Sequence, residues 1–115
     1  MAVIKYDTME LTSVVSDGAR GVSKAVVVDS RDGWDSHVMR VFRVGTGGCT
    51  PRHQHDWEHV IHVIAGHGRL AIGEEVMELE KNDFAFVPAN IEHQFENPGS
   101  DDFEFICIVP ERGEY

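Results

Sequence analysis

Apolar positions along this chain recur at a spacing of two, in short blocks broken by turn-forming residues. Residues 22–28 are rich in β-branched side chains and close on Asp29-Ser30-Arg31-Asp32-Gly33. Residues 37–44 (HVMRVFRV) form a second block, ended by Gly45-Thr46-Gly47-Gly48. Residues 58–65 (EHVIHVIA) form a third, ended by Gly66-His67-Gly68. Shorter blocks follow at 69–72, 76–79, 84–87, 91–96 and 103–109. Gly73, Asn82-Asp83, Pro88-Ala89-Asn90 and Asn97-Pro98-Gly99-Ser100 supply the breaks. Glycine and asparagine reach the positive φ that many turns need, and proline fixes its own φ. Runs of four to eight residues at about ten-residue spacing predict an all-β sandwich or barrel. Residues 73–81 (GEEVMELEK) compete as one or two helical turns. Val76, Glu78 and Glu80 alternate there with Met77 and Leu79, which favours a strand. The first 15 residues carry the weakest pattern and read as an arm.

The same parity sorts the histidines. Side chains at i and i+2 of a strand face one side, so His53 and His55 present two imidazoles together while Gln54 points away. His59 returns to that face if the chain bends at Asp56-Trp57, and Ile61, Val63 and Ala65 then share its parity as interior positions. Val60, His62 and Ile64 take the other face. In residues 91–96, Ile91, His93 and Phe95 face inward and Glu92, Gln94 and Glu96 outward. Four inward imidazoles left unsatisfied would each cost about 1–3 kcal/mol. A shared divalent metal removes that cost, and imidazole suits Zn, Cu, Fe, Ni and Mn-type ions. A solvated or hydrogen-bonded HxH pair is the plainer alternative for His53 and His55 taken alone.

Composition narrows the partners. The 115 residues fit one small domain, and 42% hydrophobic with 26% charged residues is a globular balance. Twenty acidic residues against ten basic ones leave a net charge of −10, which repels phosphate backbones and anionic lipid. Nucleic acid and membranes are therefore excluded as expected partners. The N-terminal residues lack a basic stretch followed by an apolar core, so no signal peptide is expected. Cys49 and Cys107 form no CxxC pair, and two free thiols fit a reduced, cytoplasmic protein.

Two spacings resemble a known family. Gly47, five residues, His53-Gln54-His55, three residues, His59, six residues and Gly66 are similar to the first motif of the cupin superfamily. Asn82, five residues, Pro88-Ala89-Asn90, two residues, His93, three residues and Asn97 are similar to the second. The family pattern carries Glu at the position of His59 and Gly at those of Asn82 and Asn90. Asparagine tolerates the left-handed conformation better than most residues, so its two substitutions are mild. The resemblance implies a single cupin domain over residues 1–115, with residues 1–20 as an arm or strand and metal motifs at 47–66 and 82–97. It implies a double-stranded β-helix, a jelly-roll barrel of two antiparallel sheets. His59 in place of Glu resembles small four-histidine cupins, which implies His53, His55, His59 and His93 as ligands of one divalent ion. Mn, Fe or Ni suits an octahedral site with open positions, and Zn could close it as a tetrahedron. Four neutral ligands leave the full +2 charge, which favours a small anionic organic ligand.

The resemblance further implies a homodimer. It leaves two functional expectations open. One is a metal-dependent enzyme (dioxygenase, decarboxylase or isomerase) on a small anionic or enolizable acid. The other is a non-catalytic module that binds or senses a small molecule or metal. Metal loss is expected below about pH 6, where protons compete for imidazole.

Remaining residues read more plainly. Cys107 shares a face with Phe103, Phe105 and Val109, as a small buried hydrophobe or a pocket thiol. Arg40 and Arg43 are expected at the surface, although either could enter the pocket and hold a carboxylate. Asp56 and Glu58 either orient a ligand imidazole or are solvated loop charges. Trp57 and Phe95 read as core or rim. His37 and His67 read as surface, and Cys49 and Arg52 as incidental and outward.

Overall fold

The computed structural model describes residues 3–114; residues 1 and 2 of the expected arm, and residue 115, lie outside the described residues. Every predicted block is a strand. The order is β1 (Thr12–Ser13), β2 (Arg20–Val28), β3 (His37–Cys49), β4 (His59–Ala65) and β5 (His67–Ile72). It continues with β6 (Glu75–Glu80), β7 (Phe84–Val87), β8 (His93–Glu96) and β9 (Phe103–Pro110). Short 3-10 turns at Tyr6–Thr8, Ser30–Asp32 and Glu111–Gly113 complete the elements. The strand reading of residues 73–81 holds: β6 pairs along its length with β5, from Glu75 opposite Ile72 to Glu80 opposite His67.

All pairings are antiparallel. They run β6-β5-β8-β3-β9-β4-β7, with β2 on the other edge of β3 and β1 on β2. The path curls into a nearly closed jelly-roll barrel whose two sheets share β3. Residues 37–44 of that strand pair with β9, whereas Cys49 pairs with Glu96 of β8.

The shared strand depends on the glycine run, which the sequence marks as an end. In fact β3 continues through it to Cys49. Val44 lies opposite Val22 and Cys49 opposite Arg20, so five steps of β3 face two of β2. This is a bulge, and it bends the strand from one sheet into the other. Gly47 takes φ +76°, and a Cβ on Gly48 would lie 2.5 Å from the Arg20 carbonyl oxygen. Glycine allows the bend that other residues would block.

The interior fills from both sheets. Val44, Ile61, Val63, Leu70, Val87 and Phe103 are fully buried, and Phe95 and Phe105 stack at 4.4 Å between ring centroids. Burying each such side chain contributes about 1.5–3 kcal/mol. Asn82 and Asn90 both take positive φ, 78° and 64°, the conformation anticipated for asparagine at positions where the cupin pattern has glycine. No helix among the described residues is long and apolar enough to cross a membrane.

Candidate metal centre

The first histidine segment is held beside β8 by backbone bonds. Thr50 N–H donates to the Phe95 carbonyl at 2.9 Å, and Asn90 N–H donates to the His55 carbonyl at 2.6 Å. Between them, His53 N–H donates to His93 O at 3.2 Å and His93 N–H to His53 O at 2.9 Å. The Thr50 hydroxyl accepts from Phe95 N–H, and Gln94 Nε2 donates to the Thr50 carbonyl, each at 2.9 Å. Gln94, which has no role in the sequence reading, braces this segment.

The chain bends at Asp56-Trp57, as expected, and alternation carries through the bend. Pro51, His53, His55, Trp57 and His59 turn inward; Arg52, Gln54, Asp56 and Glu58 are exposed. Four imidazoles meet as a result. Ring centroids lie 4.2 Å apart for His53 and His55, 4.9 Å for His53 and His93, and 4.7 Å for His59 and His93. The tightest set is His53, His55 and His93, whose ligand atoms all fall within 4.8 Å of one another. His59 stands beside this triad, 5.6 Å from His55 by ring centroids, and is not a member of it.

The donor set suits a metal. Burial is the leading cause lowering all four imidazoles, taking His53 to about 4 and His59 to about 3. Neighbouring imidazoles lower His53, His55 and His59 further, and the Arg40 charge adds to this at His55 and His59. Near neutral pH these rings are uncharged, the form that ligates. His93 Nδ1 lies 3.1 Å from the Ile91 carbonyl. A carbonyl only accepts, so Nδ1 carries the proton and Nε2 keeps its lone pair free. His59 Nδ1 is buried without a hydrogen-bond partner. An ion held at the triad would take up the free lone pair of His93.

The cluster opens on a cavity of about 100 Å³, which the four histidines line together with Arg40, Lys24 and Cys107. Phe42, Phe95 and Phe105 supply apolar wall. Arg40 corrects the surface expectation, since it is only 6% exposed and turns inward. Its guanidinium sits 4.9 Å above the Phe42 ring, and Nη2 donates to Cys107 Sγ at 3.0 Å. Burial pushes the Cys107 thiol up, with Arg40 opposing. Cys107 is thus a buried thiol that also lines the pocket.

Arg43 stays on the outer side as expected, with Nε 3.4 Å from Glu104. Asp56 pairs with Arg112 at 2.5 Å, so the carbonyl of Ile91, not a carboxylate, orients His93. Trp57 is half-buried and stacks on His55 at 4.4 Å, with 6° between the planes. His37 stacks on Trp34 and His67 pairs with Glu78, both at the surface. Sequence reasoning missed Lys24. Its signal was present, because Lys24 interrupts an apolar parity of Val22 and Val26 as Arg40 interrupts Val38 and Phe42.

Residues 40–109 match the cupin domain. The chain belongs to the cupin family. Among solved cupin-like structures it is similar to the polyketide cyclase RemF from Streptomyces resistomycificus. That likeness has a TM-score of 0.89 at 27% identity and covers 96% of this chain and 79% of that one. It also resembles a predicted oxalate decarboxylase from Thermotoga maritima, at TM-score 0.85 and 17% identity over 95% and 98% of the two chains. That second likeness speaks to the fold. Among curated proteins, it is 30% identical over 71 residues to the 1-methylthio-D-xylulose 5-phosphate methylsulfurylase of Rhodospirillum rubrum, 62% of this chain and 46% of that protein. This cupin spans less than half the length of the curated relatives it matches.

Proposed function

We propose that this cupin holds one divalent ion on His53, His55, His59 and His93 and acts on a small anionic, enolizable organic acid. The observation that carries the reading is the triad of neutral, converging imidazoles at the wall of a cavity that also contains a buried arginine. Bound there, the ion would supply Lewis acidity toward a carbonyl or enolate oxygen. Mn, Fe or Ni is preferred over Zn, because two open positions are needed for a chelating ligand.

The chain's own residues supply the rest. The Ile91 carbonyl fixes the tautomer of His93. Trp57 backs the His55 ring, and the aromatic wall keeps water from the bound acid. Arg40 offers a planar donor group to a carboxylate. No Asp or Glu lines the cavity among the described residues, and the adjacent Glu114 carboxylate is engaged by Lys24 and Arg40, so no uncommitted carboxylate stands there as a proton acceptor. That lining suits acids with an already acidic α-carbon, such as β-keto acids, over those that need a strong base. The likeness to a polyketide cyclase supports carbonyl chemistry of this kind. The missing base equally favours a second reading, a module that binds such an acid without turning it over. A homodimer and a cytoplasmic location belong to the proposal as well; light scattering giving twice the chain mass would support the first.

The test combines elemental analysis with deuterium uptake at C-2 of acetoacetate in D₂O. About one equivalent of Mn, Fe or Ni per chain, with uptake above the buffer rate that His93→Ala abolishes, supports the enzyme. Metal without uptake supports the binding module. No metal in protein purified without chelator overturns the metal-dependent enzyme and leaves the binding module.

A further inference from the structure

Two cations stand in the cavity of a strongly acidic protein, and one carboxylate holds both. Glu114 Oε2 lies 2.7 Å from Lys24 Nζ, and Glu114 Oε1 accepts from Arg40 Nη1 at 3.2 Å. Arg40 is nevertheless short of acceptors. Its Nη2 faces the weak acceptor Cys107 Sγ, and its Nε is buried with no partner at all. A guanidinium presents five N–H groups in a fork suited to a carboxylate bound through both oxygens. Glu114 meets that fork through one oxygen only.

The segment bearing Glu114 sits on the metal-site wall. Gly113 is buried against Trp57, where an added Cβ would lie 2.8 Å from the indole Nε1. Trp57 in turn stacks on His55. Arg112 pairs with Asp56 and lies over the Trp57 ring at 5.4 Å. Glu111 N–H donates to the Ser36 carbonyl at 3.0 Å. One short segment therefore packs on Asp56 and Trp57, between His55 and His59, and places a carboxylate on the cavity's two cations.

We propose that Arg40 and Lys24 form an anion subsite beside the histidine cluster, which Glu114 fills as an internal carboxylate until a ligand carboxylate displaces it. The subsite rests on the reading of the cavity as an acid-binding site and names its carboxylate end. Residues 111–114 then act as a strap. They hold the charge of Arg40 satisfied in the free protein and give way when an acid enters.

Calorimetric titration of benzoate, with benzamide as its uncharged counterpart, tests this on the full chain. Benzoate has no enolizable carbon, and on chelator-treated protein it has no metal to ligate, so there it reports the subsite alone. Glu114→Gln should tighten benzoate about tenfold by removing the competing charge, leave benzamide unchanged, and lose the gain when Arg40→Gln is added. If the double variant has no cooperative melting transition, Lys24→Met replaces Arg40→Gln. Unchanged benzoate affinity in Glu114→Gln, or equal tightening of benzamide, overturns the subsite. Repeating the titrations after chelator treatment separates the two proposals. Tightening that persists in a protein that never binds metal keeps the subsite and ends the metal reading. Full metal content without tightening does the reverse.

Discussion

The barrel interior has two halves built on the same pleat and filled in opposite ways. In one, Val44, Val63, Leu70 and Phe103 close on each other with no exposed surface. In the other, the inward positions carry His53, His55, His59, His93, Arg40 and Lys24 around a cavity. Single strands serve both: on β4 the inward series is His59, Ile61, Val63, and on β3 it passes from Arg40 to Val44. Strand parity decides which side chains enter the barrel; residue type decides whether the space they enter is sealed. The sealed half contributes transfer free energy. The polar half spends some of it, and every buried polar group there needs a partner.

The sharpest way to break that contrast is to empty the sealed half. Phe103→Ala should cost about 3–5 kcal/mol in denaturant unfolding while folded molecules keep their metal-to-protein ratio. Metal loss in the folded fraction would mean the halves are not separable. Next, His93→Ala and His59→Ala should each drop metal content from one equivalent to below about a tenth, with under about 2 kcal/mol change in metal-free stability. Retained metal in His59→Ala would restrict the ligand set to the triad.

Acid should act on the polar half first. The folded imidazoles lie below the ordinary 6.5, at about 4 for His53 and about 3 for His59. The unfolded chain therefore binds more protons, so metal-free stability is full above about pH 6.5 and falls as pH drops toward the folded values. The lowered values also move the expected metal loss from about pH 6 down toward pH 4, because these rings resist protonation. Melting temperatures of metal-free protein that stay flat from pH 7 to 4.5 would contradict this burial. The smallest effect belongs to Arg43→Gln on the outer side of β3. Its side chain is 35% exposed, and its loss should change stability by about 1 kcal/mol. A larger loss would show that the outer face is not peripheral.

The strands were legible because their alternation is local. Residues 84–87 were delimited to the residue, and 103–109 within one position of the observed end. The glycine run at 45–48 was misread because composition marks flexibility, while the bulge depends on the Arg20 backbone a strand away. His53, His55 and His93 were legible from parity and motif spacing, and their convergence follows from the pairing of residue 53 with 93. Arg40 was placed on the correct face but at the wrong depth. Parity gives direction, and only the third dimension shows that Cys107 and Glu114 are there to receive it. Glu114 itself had no signal, since a solvated glutamate near a chain end looks the same in sequence.

The reciprocal backbone bonds between His53 and His93 also set an order of events. These two residues are 40 positions apart, and four strands intervene between them. Closing so long a loop is an entropic expense met only when β8 has joined the barrel. Before that moment a nascent chain offers an ion only its neighbouring histidines, a loose and exchangeable hold. The complete histidine cluster is therefore a product of finished topology, and an ion held on the proposed ligand set would bind in full only after β8 has joined the barrel.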